Sequence, residues 1–265
     1  DEGGQAHDIF NVVSEFGIVP DKVFPGNRIN DKFQHNVLVN ELKDVVKKAN
    51  EWNKKFDASE TASLDPVLKE HLGELPNDFE HNGEKYTPET FRDFLGINPD
   101  DYIEITSYNH HPFYKSFDLE LPDNWSHSPY YNLPIDELVQ VMINSVEKGY
   151  TFCWDGDTSE RTFQHKKAKA DLPKKEIGKV TQELRQETFF SRKTTDDHLM
   201  HIIGIAKDED GRLFFNTKNS WGAESNNNGG YLYISEDYVR LKTIAIIVHR
   251  DVIPDEIAEK LNFND

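Results

Sequence analysis

The sequence predicts an α+β protein, helices in its first part and an antiparallel β-sheet or barrel in its last third. Before residue 150, apolar residues recur in several stretches at spacings of three and four, as in helices with one buried face. After residue 197 they come instead in short runs of β-branched and aromatic residues, each bounded by Gly, Asp or Asn turns. The chain of 265 residues is long enough for one large domain or two small ones with a substantial core.

Each element has its own signal. Behind Gly3-Gly4, residues Ile9, Phe10, Val12, Val13 and Phe16 define an amphipathic helix over 6–16, stopped by Gly17. Residues 31–56 carry a longer apolar stripe, from Phe33 through Leu42 to Trp52, opposite Lys-rich positions, and predict a second helix. Asp65-Pro66 and Thr87-Pro88 each set a capping side chain before a Pro at the first helical position. Short helices are therefore expected over 66–72 and 88–95, closed by Gly73 and Gly96. Asn98-Pro99-Asp100-Asp101 is turn chemistry, and 102–108 alternates like a strand. Residues 109–133, rich in aromatics and Pro but without a period, read as an ordered loop. A helix over 134–148 turns Leu138, Val141, Met142 and Val146 inward and stops at Gly149, and 150–154 is a compact apolar strand. Residues 155–190 are charged, with a helix expected at 174–187. Strands follow at 198–206, 212–217, 230–234 and 242–249.

Composition narrows the function. A net charge of −18 repels phosphate backbones, and Lys166-Lys167 with Lys169 is too small a basic patch to offset it, so no nucleic-acid partner is expected. Mean hydropathy is −0.73 and no apolar run is long enough to span a bilayer, so no membrane partner is expected either. The single cysteine, Cys153, excludes an internal disulfide and favours a reducing, cytoplasmic setting over export.

The chemistry gathers near the C-terminal end. Asp196-Asp197-His198 leads into one run of β-formers, and Asn219-Ser220-Trp221-Gly222 follows the next, which places a His and an Asn at the ends of neighbouring strands. Such an imidazole draws a proton from a thiol, while the Asn oxygen holds the ring's other N–H and fixes its tautomer and orientation. The adjacent indole would keep water from that hydrogen bond. Cys153 is a poor candidate for the thiol. It lies between Phe152 and Trp154 with Asp155 and Asp157 behind it, surroundings that raise a thiol's pKa, and it reads as a small buried hydrophobe. His198 and His201 would face opposite sides of a strand, and the adjacent His110-His111 before Pro112 have poor spacing for one ion. No metal site is expected, and no zincin, paired-cysteine or phosphate-loop motif is present.

On these residues the sequence resembles the bleomycin hydrolase and aminopeptidase C branch of the papain-like cysteine peptidases. Asp197-His198-Leu199-Met200 looks like the family's histidine motif, Lys218-Asn219-Ser220-Trp221-Gly222 like its asparagine motif, and Gly229-Gly230-Tyr231 like the glycine-aromatic strand that follows. Gly3-Gly4 through Phe16-Gly17-Ile18 resembles the double glycine and helix that border the substrate cleft. Asn98-Pro99-Asp100-Asp101-Tyr102, the stretch from Thr106 to Tyr114, and Tyr131-Asn132-Leu133-Pro134 look like the aminopeptidase C branch in particular.

The resemblance implies a papain-like fold and hydrolysis of peptide substrates, probing their ends as an aminopeptidase. His198 and Asn219 would be catalytic, Trp221 would support the site, and Gly3 and Gly4 would bind substrate backbone. It implies no metal and no cofactor, and a ring-like homohexamer whose C-terminal tail enters the cleft. Nothing in residues 257–265 matches that tail. The family's nucleophilic cysteine and its oxyanion-hole Gln lie upstream of the double glycine. The sequence therefore looks like the C-terminal two-thirds of such an enzyme, incomplete at the N-terminus. By itself it is expected to be inactive, its first partner being its own upstream segment. The implied domains are 1–24, the remainder of the nucleophile-side helical half; 25–133, a helical insertion; 134–253, the β-rich half with His and Asn; and 254–265, the tail. The alternative is the same fold without a nucleophile, kept as a peptide-binding or scaffold module.

Overall fold

The computed structural model describes residues 3–26, 28–29, 32–33, 35–51, 62, 64–173 and 177–262. The chain divides into two compact units, Asp1–Gly3 with Asn11–Pro99, and Gly4–Phe10 with Asp100–Asp265.

Helix α1 (Ala6–Phe16) crosses the division, and its end belongs to the first unit. Gly17 stops it with φ +73, and a Cβ there would lie 2.2 Å from the Pro88 carbonyl carbon, so both backbone and packing demand glycine. The unit continues through the antiparallel pair β1 (Arg28–Ile29) and β2 (Lys32–Phe33), then α2 (Asn36–Glu51) and α3 (Leu64–Leu72). The helix expected over 31–56 thus begins later, at Asn36, because Lys32–Phe33 is spent on strand pairing. Its expected last turn, 52–56, lies outside the described residues. Strands β3 (Phe79–His81) and β4 (Glu84–Tyr86) form a hairpin that the sequence reading passed over. Its signal was Asn82-Gly83, whose φ values of 52 and 84 give the primed turn that suits strand twist. Helix α4 (Pro88–Phe94) opens on a reciprocal Thr87–Thr90 capping box, and Phe91 packs edge-on against Phe79 and Tyr86.

The second unit is built on one ten-stranded sheet. Its strands are β5 (Tyr102–Thr106), β6 (Ser116–Asp118), β7 (Pro129–Asn132), β8 (Phe152–Gly156), β9 (Phe163–Gln164), β10 (Lys169–Ala170), β11 (His198–Lys207), β12 (Leu213–Lys218), β13 (Tyr231–Ser235) and β14 (Thr243–His249). They lie in the order β6-β7-β5-β14-β8-β11-β12-β13-β10-β9. The α+β expectation holds, with one refinement. The pairs β5–β7 and β10–β13 are parallel, so the sheet is mixed rather than wholly antiparallel. The stretch 109–133, expected as loop, contributes β6 and β7. These strands are too short to show a period, and the fully buried Asn132 side chain accepts from the Tyr108 N–H and donates to its carbonyl.

Helices α5 (Ile135–Glu147), α6 (Gln182–Phe190), α7 (Glu236–Lys242) and α8 (Asp255–Leu261) complete the unit. Helix α5 buries Leu138, Val141 and Met142 as their spacing predicts. Of the helix expected at 174–187, residues 174–176 lie outside the described residues; a described helix runs from Gln182, where the Thr181 hydroxyl accepts the Leu184 N–H at 3.2 Å, and Gly178, at φ +69, precedes it in a left-handed conformation. Helix α7, missed in the sequence, supplies Tyr238, Val239 and Leu241 to the core that also holds Trp154, Phe215, Leu232 and Ile246. Among the described residues no helix is long and apolar enough to cross a membrane.

Candidate active site

Strand β11 begins at His198, which pairs with Gly156 of β8, and β12 ends one residue before Asn219. Gly156 is fixed by packing: a Cβ there would lie 2.2 Å from the Trp154 ring and 2.6 Å from the Lys242 carbonyl oxygen. Upstream of β11, Asp157 accepts from the buried Lys242 ammonium at 2.9 Å and from the Thr195 N–H at 3.3 Å. Asp197 accepts the N–H groups of Thr158 and Ser159, both at 3.0 Å. These bonds tie the approach to His198 onto β8 and α7.

The register of β11 against β12 pairs His201 with Lys218, so His198 overhangs toward the residues that follow β12. There Asn219 Oδ1 sits 2.9 Å from His198 Nε2 and 2.7 Å from the Ser220 backbone nitrogen. A backbone N–H can only donate, so the amide atom facing it is oxygen, and His198 Nε2 must carry the hydrogen it shares with that oxygen. The neutral ring then keeps its lone pair on Nδ1, which makes no hydrogen bond among the described residues. That is the arrangement of a general base held in one tautomer.

Trp221 stacks on His198 with ring centres 5.2 Å apart and planes 25° from parallel. Its indole remains 49% exposed, so it covers one face of the imidazole and is not itself core. Asn219 by contrast is buried, and His165 stands on the far side of its amide. Asn219 Nδ2 lies 3.4 Å from His165 Nδ1, and His165 Nε2 lies 2.7 Å from Ser225 Oγ, which donates its own hydrogen to the Gly222 carbonyl at 2.6 Å. Ser225 Oγ must therefore accept from His165 Nε2–H, which leaves His165 Nδ1 to accept from the amide. Burial, Lys166 and His198 all push the His165 pKa down, which keeps that ring neutral and able to accept. Sequence reasoning missed His165. It lies 54 positions from Asn219 in a charged stretch, and the short β9–β10 hairpin brings it across beside β13.

The remaining residues singled out from sequence fall in three places. Gly4 precedes Gln5, whose backbone N–H donates to Asp8 at 2.8 Å and whose side chain donates to Asp196 at 2.6 Å, two positions before His198. A Cβ on Gly4 would lie 3.0 Å from Asp8 Oδ2, so the tight approach favours glycine. Gly3 is exposed and belongs to the other unit, just ahead of this segment. Cys153 pairs with His201, three residues along β11 from His198, about 10 Å at strand rise. Burial, Asp155 and Glu104 push its thiol up to about 12, so the structure does not bring Cys153 to the imidazole as a thiolate.

Beside these residues lies a buried acidic group that no spacing in the sequence announced. Asp155 and Asp196 share a site in which burial raises both carboxyls; the charge of Asp196 raises Asp155 further, whereas contact with Asp155 and Gln5 offsets part of the rise at Asp196. Glu104, also raised by burial, is hydrogen-bonded to His7 Nδ1, and His7 Nε2 lies 3.0 Å from Ser126 Oγ. A cleft of about 540 Å³ opens beside Asn219 and Ser220, floored by Cys153, Ile247, Ala6 and Phe10.

Comparison with known proteins matches residues 1–264 to the Peptidase C1-like family. Similar curated proteins are aminopeptidase G of Lactobacillus delbrueckii subsp. lactis (24% identical, covering 98% of this chain and 66% of that protein), aminopeptidase C of Listeria monocytogenes (25%, 98% and 65%) and human bleomycin hydrolase (22%, 97% and 64%). The crystal structure of PepW from Lactobacillus rhamnosis superposes with a TM-score of 0.75 at 19% identity, over 98% of this chain and 65% of that one. That likeness establishes the papain-like fold. The chain spans about two thirds of the length of the curated relatives it matches.

Proposed function

Because the chain belongs to the Peptidase C1-like family, we propose that it is the histidine- and asparagine-bearing part of a cysteine peptidase, acting as an aminopeptidase, whose thiol comes from a segment upstream of Asp1. The observation that carries this reading is the Asn219 amide, its oxygen fixed by the Ser220 N–H and bonded to His198 Nε2 at 2.9 Å. It leaves Nδ1 as the only basic atom of the ring and aims the other nitrogen away from the chemistry.

In the reaction so assigned, His198 Nδ1 takes the thiol proton and the thiolate adds to the scissile carbonyl carbon. The proton passes to the leaving amine as the C–N bond breaks, which leaves a thioester. His198 then deprotonates a water that adds to the thioester carbonyl, and the thiol leaves as the carboxylic acid forms. Asn219 orients the imidazole and stabilises its charged form, Trp221 covers one ring face, and the backbone at Gly3 and Gly4 pairs with the substrate as a strand edge would. Peptides are the substrates, and no metal or cofactor takes part. The relatives' names place aminopeptidase action with them, and the same action is assigned here. The homohexamer is carried over from the resemblance alone, as is the division into 1–24, 25–133, 134–253 and 254–265.

The test is His198→Ala in the complete protein, upstream segment included. Loss of proton transfer should lower kcat/KM for a peptide substrate by several powers of ten. Unchanged activity would overturn the role assigned to His198, and no activity in the wild type would leave the fold as a peptide-binding module.

A further inference from the structure

We propose that His110, His111 and Glu120, in the second unit and apart from His198 and Asn219, bind a divalent transition-metal cation of the zinc type. Adjacent histidines on a strand would diverge, but β5 ends at Thr106 and the chain turns at Asn109-His110. Both rings then reach the same carboxylate. His110 Nε2 lies 3.1 Å from Glu120 Oε2, and His111 Nε2 lies 2.8 Å from Glu120 Oε1. One ligand atom from each residue falls within 4.8 Å of the others.

The hydrogen-bond logic favours a cation between them. Gln186 Oε1 is 2.7 Å from the Asn109 backbone nitrogen, which identifies it as oxygen, and 3.2 Å from His110 Nδ1. His110 Nδ1 therefore carries a hydrogen, and Nε2 of the neutral ring turns a lone pair toward a carboxylate oxygen. Two lone pairs at that separation call for a positive centre, either a second proton or a metal. An Nδ1–H donated to a buried carbonyl is also the outer-shell contact that metal-ligating histidines make. Gln186 is 6% exposed and fixed on α6, so this partner is rigid.

Geometry and access agree. Zinc at about 2.0–2.1 Å from tetrahedral ligands separates them by about 3.4 Å, so the contacts of 3.1 and 2.8 Å would open by about 0.3 and 0.6 Å, with the remaining ligand separations already within 4.8 Å. Both rings are held by aromatic neighbours: His111 stacks on Phe117 at 4.1 Å, and His110 lies 5.1 Å from Phe190. The site borders a cleft of about 550 Å³ through which an ion and its water can enter.

The test titrates zinc chloride into the chelator-stripped full chain at pH 7.5 by calorimetry, with Cys153→Ser as background so that the thiol cannot compete. One saturable site is expected, weakened at least tenfold by Glu120→Gln or His110→Ala and about 10–100-fold by Gln186→Leu, which spares all three ligands. Magnesium chloride should give no comparable binding. Absence of saturable zinc binding, or equal affinity in the Glu120→Gln and His110→Ala proteins, overturns the proposal. An NMR titration of the unsubstituted chain keeps the question open to refutation should a variant fail to fold. The ring signals of His110 and His111 should shift together at one equivalent of zinc, and shifts confined to other histidines refute the site.

Discussion

The substitution Asn219→Ala probes the arrangement most directly. It removes the oxygen that accepts from His198 Nε2 at 2.9 Å and leaves the ring stacked on Trp221. During turnover the imidazole becomes an imidazolium, and a hydrogen bond to a charged group contributes about 1.5–3 kcal/mol. At 1.36 kcal/mol per factor of ten, the expected loss in kcat/KM is about 10- to 150-fold. The loss should stop well short of that for His198→Ala, because the base remains and the indole still restricts its tilt. The variant also strands the Ser220 N–H and the His165 Nδ1 acceptor, costing about 1–3 kcal/mol of stability. The assay is hydrolysis of an aminoacyl 4-nitroanilide by the complete protein, alongside the rate of iodoacetamide labelling of its reactive thiol at mildly acidic pH. Labelling should slow as well, since the thiolate depends on the oriented imidazole. Activity within twofold of wild type would refute the reasoning. So would a loss as large as that of His198→Ala in a protein of normal stability, since it would give Asn219 a role beyond orientation.

Three further outcomes are expected. His165→Leu leaves Asn219 Nδ2 buried without an acceptor, so kcat should fall several-fold with KM nearly unchanged, and His165→Gln should restore most of it; equal defects in both would deny His165 a positioning role. Asp155 is held protonated in the fold past the pH, near 4, at which the unfolded chain loses its proton, so it costs stability increasingly as pH rises from there through its raised folded value. Asp155→Asn should therefore raise the urea midpoint at pH 8 by more than at pH 5, and a gain independent of pH would show that burial of this carboxyl is not the cause. Gly156→Ala drives a methyl into the Trp154 ring and the Lys242 carbonyl, which should cost about 1–3 kcal/mol in thermal or urea unfolding; a neutral outcome would mean that β8 shifts freely.

The sequence by itself determined what depends on local pattern and chemistry. The period of Leu138, Val141 and Met142 specifies a helix because only that winding puts them on one face. Thr87-Pro88 starts another because the side chain caps and the ring presets φ. His198 and Asn219 could be paired from sequence because each ends one of two consecutive strands, and antiparallel neighbours bring such ends together. The poor prospects of Cys153 were legible in its apolar and acidic neighbours, and burial with Asp155 pushes the thiol as expected. What only the tertiary structure decided are the contacts between segments far apart in the chain. Strands of two to four residues such as β6, β7, β9 and β10 are too short to carry a period and exist because the sheet offers them partners. His165 reaches the Asn219 amide only through one of those hairpins, and Asp155 and Asp196 meet only because β8 and the approach to β11 pack together. His110 and His111 looked mismatched as neighbours on a strand, yet a turn and the return through β6 set both against Glu120. Spacing along a chain constrains partners within one element, whereas the side chains that meet between elements are set by the fold as a whole.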